Sequence, residues 1–281
     1  MNDNRLIDLH VHSNASDGTL APAELVKLAY ESGLSAMALT DHDSVLGVEE
    51  ALNTGLPIEV IPGIELSAGY KDRDIHILGL CINHKAKKLL DISENVINER
   101  QQRNMKMINN LAADGIDINE ESLRKISGGK GVITRGHFAK FLVARGYVSS
   151  VKEAFAKYLS PETPYYVNRE YLSPEECIEI ILECGGYPVL AHPVLYNLPE
   201  HELEALISRL KNAGLVGIET IYSTYSPEEE QYVRSLAQKY DLKISGGSDF
   251  HGGNKPDIDI GTGHGNLKIP YSLLDNLRQA D

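Results

Sequence analysis

Short runs of β-branched and aliphatic residues recur along the chain at Arg5–Val11, Ala36–Thr40, Ile58–Ile61, Ile75–Leu80, Pro188–Ala191, Val216–Thr220 and Leu242–Ser245, and each reads as a strand. Between them, Ala21–Ser32, Ser173–Cys184, Glu200–Ala213 and Pro227–Tyr240 place apolar residues every three to four positions, the spacing of a helix with one buried face. Pro22, Pro174 and Pro227 stand near the starts of these segments, where a missing N–H is tolerated. The alternation of strand and helix predicts an α/β fold built on a parallel sheet, closed or partly closed by helices. From Lys85 to about Tyr165 the rhythm breaks into helices and loops without strand alternation. That stretch is expected to be a helical insertion, residues 85–165, between barrel segments 1–84 and 166–281.

A chain of 281 residues with 42% hydrophobic content fills a proper core, which excludes disorder as its main state. Its formal charge of −13 repels a long polyanion and argues against a protein that coats duplex DNA. The charge is uneven, however. Residues 99–157 carry 11 Lys and Arg against 6 Asp and Glu, while the remainder carries 16 against 34. The basic stretch reads either as a solvated helical face or as a cap that attracts a phosphorylated substrate. No apolar run approaches the roughly 18 residues of a spanning helix, and the opening residues lack the pattern of a secretory signal, so a soluble cytoplasmic protein with no membrane partner is expected. Cys81, Cys177 and Cys184 are odd in number and without C-x-x-C spacing, and read as reduced, mostly buried thiols.

The first strand ends in D-L-H-V-H, and residues two apart on a strand face the same way, so His10 and His12 can present both rings to one ion. Asp17 follows in a glycine-containing loop. The second strand stops at A-L-T-D-H-D-S, leaving His42 at its end; Asp43 or Ser44 can instead cap the helix that V-L-G-V-E-E-A-L predicts. Glu65 interrupts an apolar stretch, where an unpartnered carboxylate is costly and calls for a cation or strong donors. His76 sits between two isoleucines, His192 closes the strand P-V-L-A-H, and S-G-G-S-D-F-H closes another with Asp249 and His251. In a barrel of parallel strands such ends converge on one face. Imidazole and carboxylate without thiolate suit Zn²⁺, Mn²⁺ or Fe²⁺, and nine such groups are too many for one ion and suit two or three.

These motifs, in this order, resemble the PHP family, the polymerase and histidinol phosphatase superfamily of metal-dependent phosphoesterases. The resemblance spans nearly the whole chain and implies a distorted (β/α)7 TIM-like barrel with a trinuclear centre. It implies that His10, His12, Glu65 and Asp249 hold one metal, that Glu65 bridges to a second completed by His76 and His192, and that Asp17, His42 and His251 hold a third. Some family members carry histidine where Asp17 stands. Within the insertion, I-T-R-G-H-F-A resembles the branch that hydrolyses nucleotide phosphates: nucleoside 3′,5′-bisphosphate phosphatases and 5′→3′ exoribonucleases acting on short RNA. By that resemblance Arg135 and His137 bind substrate phosphate, a task for which a guanidinium fork is well shaped. An ordinary helix start capped by Thr134 is the structural alternative for the pair.

The implied reaction is in-line attack on phosphorus by a hydroxide bridging two metals, with Asp17, His42, Glu65, Asp249 and His251 as its catalytic metal-holding groups. The expected partner is a small phosphorylated molecule, a nucleotide or a short 5′-phosphorylated RNA. Other readings are a phosphatase of another small ester such as histidinol phosphate, an amidohydrolase attacking carbon, and a non-catalytic PHP module.

Overall fold

The computed structural model describes residues 5–71, 73–127, 133–167 and 172–280. Residues 128–132 of the expected insertion and 168–171 of the expected second barrel segment lie outside that set. The chain resolves into two compact units: residues 1–92 with 171–281, and residues 93–170.

The first unit is built on β1 (Ile7–Val11), β2 (Ala36–Leu39), β3 (Glu59–Tyr70), β4 (Arg73–Leu80), β5 (Tyr187–Leu190), β6 (Gly217–Tyr222) and β7 (Lys243–Gly247), hydrogen-bonded in that order as one seven-stranded sheet. Just beyond its last strand the sheet curls back on its first. Asp249 N donates to His10 O at 2.8 Å, His12 N to Phe250 O at 2.9 Å, and Val11 bridges Phe250 in parallel, giving a nearly closed barrel. The closure needs Gly247, since a Cβ there would stand 2.2 Å from that of His10.

The helices α1 (Pro22–Glu31), α2 (Val48–Leu52), α7 (Pro174–Glu183), α8 (Glu200–Asn212), α9 (Pro227–Lys239) and α10 (Ser272–Arg278) belong to this unit. Ser173 and Ser226 accept from Glu176 N and Glu229 N, and each is followed by proline at the first helical position, so α7 and α9 start where the sequence places them. Apolar side chains of β1 to β6 meet Leu274 and Leu277 of α10 in one buried cluster, while Leu25, Val26, Ile178, Ile181, Leu206, Ile207, Val233 and Leu236 of the surrounding helices pack in another.

The sheet is not uniformly parallel, which corrects the expectation. β3 pairs with β4, and β4 with β5, antiparallel. The reason is chain length: Tyr70 and Arg73 are the last partners of a tight hairpin, and two intervening residues cannot make the crossover that parallel strands need. β3 also runs on far beyond the expected Ile61, through Pro62 and Gly63, because β2 pairs only as far as Pro62 and β4 takes over from Gly63. The antiparallel reversal has a consequence for chemistry: it brings the first half of β4 to the barrel end at which the other strands finish.

The second unit is helical where described. Beyond the first turns of α3 (Lys87–Ala113) it contains α4 (Glu120–Ile126), α5 (Arg135–Ala144), α6 (Val151–Ala154) and the helical turn Phe155–Leu159, folded around Met107, Leu111, Leu123, Phe138, Phe141, Leu142 and Leu159. Among the described residues no helix is long and apolar enough to cross a membrane.

Candidate metal centre

A bulge prepares the first pair of histidines. Ile7 and Asp8 pair with Ala36 and Met37, but Val11 pairs with Leu39, so β1 carries one extra residue between them. Before the bulge Ile7 and Leu9 pack with Ala36 and Ala38; after it Val11 packs with Met37 and Leu39, on the other side of the sheet. The face is exchanged between Leu9 and Val11. His10 and His12 therefore point into the barrel, fully buried, where an unbroken alternation would have turned them out with Asp8.

The loop after β1 is held by Asp41, whose carboxylate accepts from Ser13 N (2.8 Å), Ser13 Oγ (2.7 Å) and Ser16 Oγ (2.6 Å). That loop carries Asp17 to the barrel mouth, with Asp17 O accepting from Asn254 Nδ2. Asp43 is no helix cap, contrary to one expectation. It sits at φ 51° and accepts from Ser67 N (2.8 Å) and Ser67 Oγ (3.0 Å), tying the end of β2 to β3, while α2 begins only after Gly47. Neither does Ser44 cap it; its hydroxyl accepts from Leu46 N. Positive φ recurs at His192 (27°) and Asp249 (56°). His192 and Asp249 stand just past strand ends with their side chains in the converging cluster, the kind of strain that clusters at functional sites.

The nine residues expected at the centre converge. His10 Nε2 and His12 Nε2 lie 3.0 Å apart, 3.4 and 3.2 Å from Glu65 Oε2, and 3.6 and 3.3 Å from Asp249 Oδ1. Glu65 Oε1 lies 2.9 Å from His76 Nδ1 and 3.1 Å from His192 Nε2, and Oε2 lies 2.9 Å from His42 Nδ1. Asp17 meets His251 Nε2 at 3.2 Å and His42 Nε2 at 3.9 Å. Four sets of these side chains have donor atoms within 4.8 Å of one another: His12, Asp17, His42 and His251; His10, His192 and Asp249; His10, His12 and Glu65; and His42, Glu65 and His76. Several residues serve two sets, as expected of ions that share ligands.

The donor chemistry fits divalent cations. Burial alone would push the Glu65 carboxyl up, but His42, His76 and His10 hold it well below the usual carboxylate range. Asp17 is treated alike by His251 and His42, and Asp249 by Lys255 and His10. Burial pulls the His192 and His251 rings below their ordinary value, keeping lone pairs in place for an ion. His12 Nδ1, His76 Nδ1 and His192 Nδ1 are buried without a hydrogen bond, and His76 Nδ1 faces Glu65 at close range outside hydrogen-bond geometry. Buried polar atoms in native proteins are otherwise satisfied, so these donors await a partner of another kind. The cysteines take no part in these sets.

Sequence reasoning passed over three supports. Glu219 of β6 accepts from His192 N at 2.8 Å and meets His10 Nδ1 at 3.0 Å. Tyr222 OH and Lys255 Nζ each reach Asp249 Oδ2 at 2.5 Å. Glu219 announced itself as Glu65 did, as a carboxylate inside an apolar strand, V-G-I-E-T-I-Y; Tyr222 and Lys255 carried no comparable signal.

Arg135 and His137 belong to the helical unit and are described within it. They open α5 behind Thr134, whose N donates to His137 Nδ1 at 3.0 Å, so the buried His137 closes the helix start. The Arg135 guanidinium lies 5.6 Å over the Tyr166 ring and 5.9 Å over Phe155.

The family model for the PHP domain matches residues 8–166. The chain is 35% identical over 250 residues to the 5′-3′ exoribonuclease Rnm of Escherichia coli, covering 88% of this chain and 85% of that one. It is 33% identical over 259 residues to a 3′,5′-nucleoside bisphosphate phosphatase of Chromobacterium violaceum, covering 91% and 90%. A solved structure of an amidohydrolase from Chromobacterium violaceum, with bound sulfate and no metal, superimposes with a TM-score of 0.86 at 32% identity over 97% of this chain and 95% of that one.

Proposed function

The chain belongs to the PHP domain family, and from that premise we propose that it is a metal-dependent phosphoesterase hydrolysing a phosphate ester of a nucleotide, as a 3′,5′-bisphosphate phosphatase, a 5′→3′ exonuclease on short RNA, or both. One observation carries the reading: nine buried or half-buried imidazoles and carboxylates converge with their donor atoms a few ångströms apart, while the Nδ1 atoms of His12, His76 and His192 are buried without a hydrogen bond. We assign His10, His12, Glu65 and Asp249 to one ion, Glu65, His76 and His192 to a second, and Asp17, His42 and His251 to a third, the ions being Mn²⁺, Zn²⁺ or Fe²⁺. Relatives named for a nucleotide phosphatase and an RNA exonuclease support the substrate class. We place the enzyme in the cytoplasm, in keeping with its three thiol cysteines.

Bound divalent ions would supply Lewis-acid charge and, by lowering the pKa of water toward neutrality, a nucleophile at neutral pH. The chain's own residues supply position. Glu65 offers both oxygens to the centre, Asp41 fixes the loop bearing Asp17, and Tyr222 and Lys255 hold Asp249. Arg135 and His137 are the proposed phosphate contacts, with the guanidinium braced by Tyr166 and Phe155. Charge neutralisation and positioning are what phosphoryl transfer mainly requires.

The test is phosphate release from adenosine 3′,5′-bisphosphate with Mn²⁺, beside an EDTA control and a 5′-phosphorylated RNA trimer resolved by product length. Metal-dependent phosphate from the bisphosphate supports a nucleotide phosphatase, and mononucleotides from the trimer support an exonuclease. Turnover of neither sinks the reading and turns attention to histidinol phosphate and sugar phosphates. The neighbour named an amidohydrolase keeps attack on carbon as a second reading, although the sulfate it holds has the shape and charge of a phosphate group. Inhibition by inorganic phosphate separates the two.

A further inference from the structure

Glu219 is fully buried in β6, and each of its oxygens has a different task. Oε2 accepts from His192 N at 2.8 Å; Oε1 lies 3.0 Å from His10 Nδ1. A carboxylate oxygen accepts, so the hydrogen of that second contact is assigned to His10 Nδ1. The opposite nitrogen, His10 Nε2, is the atom that faces His12, Glu65 and Asp249. His251 follows the same plan, with Nδ1 donating to Asp249 O at 2.8 Å and Nε2 turned to Asp17.

We propose that Glu219 is the positioning residue of the metal centre: it pins the ring proton of His10 on Nδ1, so that the Nε2 lone pair is delivered to the ion, and with its other oxygen it fixes the strained backbone of His192. The inference rests on the metal-centre reading above. It goes beyond the ligand set, because Glu219 itself touches no ion in that assignment. Carboxylates behind metal-bound imidazoles fix both tautomer and ring orientation, and their loss typically costs about 10- to 100-fold in metal affinity.

Glu219→Gln gives the sharpest test, because glutamine keeps the shape but has a single acceptor. His192 N–H is a fixed backbone donor, so the amide oxygen stays with it and the NH₂ group faces His10 Nδ1. Nδ1 must then accept, the ring proton moves to Nε2, and the lone pair is lost from the centre. Zn²⁺ affinity is measured by competition with a chelator, stoichiometry by elemental analysis, and the His10 ring proton by long-range ¹H–¹⁵N spectra of the Zn²⁺-loaded protein, assigned by its absence in His10→Asn. The wild type is expected to carry the proton on Nδ1. Glu219→Gln is expected to melt within a few degrees of wild type, to bind Zn²⁺ about 10- to 100-fold more weakly, and to lose the Nδ1–H signal, while Glu219→Asp recovers part of the affinity.

Wild-type affinity and stoichiometry in a folded Glu219→Gln protein overturn the inference. If that variant does not fold, the wild-type spectrum decides: a His10 Nδ1 without a proton in the Zn²⁺-loaded protein overturns it, and one with a proton upholds it. Failure of the wild type to take up Zn²⁺ or Mn²⁺ at all is a different result, which removes the metal-centre reading and this inference with it.

Discussion

The two units bury opposite things. At the barrel's mouth the most deeply enclosed side chains are ionisable: His10, His12 and Glu65 are almost wholly shielded from solvent, and Asp249, His192 and His251 nearly so. The helical unit encloses hydrocarbon, with Phe138, Phe141, Leu111 and Leu142 at its centre. Among its described residues the buried ionisable groups are Arg100, Arg103 and His137. A core of hydrocarbon stabilises by leaving water. A core of carboxylates and imidazoles is costly to desolvate unless something binds it. The difference teaches that the barrel's mouth buries imidazoles and carboxylates together while the helical unit buries mainly hydrocarbon, and that the two should fail in different ways.

The largest effect that would break the comparison is expected from Asp249→Asn. Removing that charge should lower bound metal and reduce turnover by more than about 100-fold while leaving the helical unit folded. Metal content and kcat near wild type in this variant would mean that the buried polar cluster is structural. Next comes Phe138→Ala, which should destabilise the helical unit by about 3–5 kcal/mol, read as faster hydrogen exchange across α5, with no change in metal per chain. Metal loss there would show that the two interiors are not separable.

Arg135→Ala should keep its full metal complement and lose about 10- to 100-fold in kcat/KM for a nucleotide bisphosphate, the scale of a charge-assisted hydrogen bond. An unchanged kcat/KM excludes a phosphate role for Arg135. The smallest effect sharpens the picture by pH. Asp17, Glu65 and Asp249 stay ionised in the fold below the values, 3.8 for Asp and 4.5 for Glu, at which they take up protons in the unfolded chain. Their stabilising attraction is therefore complete above about pH 4.5 and fades as pH falls further. For EDTA-treated protein we expect Tm to drop on the order of a few degrees more than for the Phe138→Ala unit's own transition as pH is lowered through that range. Equal drops would place the acid sensitivity elsewhere.

Much of this was legible in the sequence, for particular reasons. Every strand of the barrel was announced by an apolar run, and α7 and α9 by serine and proline at their starts, because those signals are local. The nine residues that converge at the barrel mouth stood out because most of them end or interrupt apolar strands, where an ionisable side chain is costly. What escaped depended on partners far along the chain. β3 continues through Pro62 and Gly63 only because β4 folds back on it, and His76 reaches the centre only because β4 runs the other way. Asp43 looked like a cap because its true partner, Ser67, lies on another strand. Glu219 was visible as an out-of-place carboxylate, but its two partners, His10 and His192, come from β1 and from the end of β5.

The placement of the helical unit bears on how the chain folds. β4 and β5 are hydrogen-bonded neighbours, with Leu80 opposite Tyr187, so joining them closes a loop of roughly 100 residues. The helices within that loop rest largely on contacts between neighbours in sequence, which form on faster timescales than distant strand pairing. If they order first, the loop still to be closed is shortened before the fifth strand has to find the fourth. The excursion that interrupts the barrel in sequence would then hasten its completion in time.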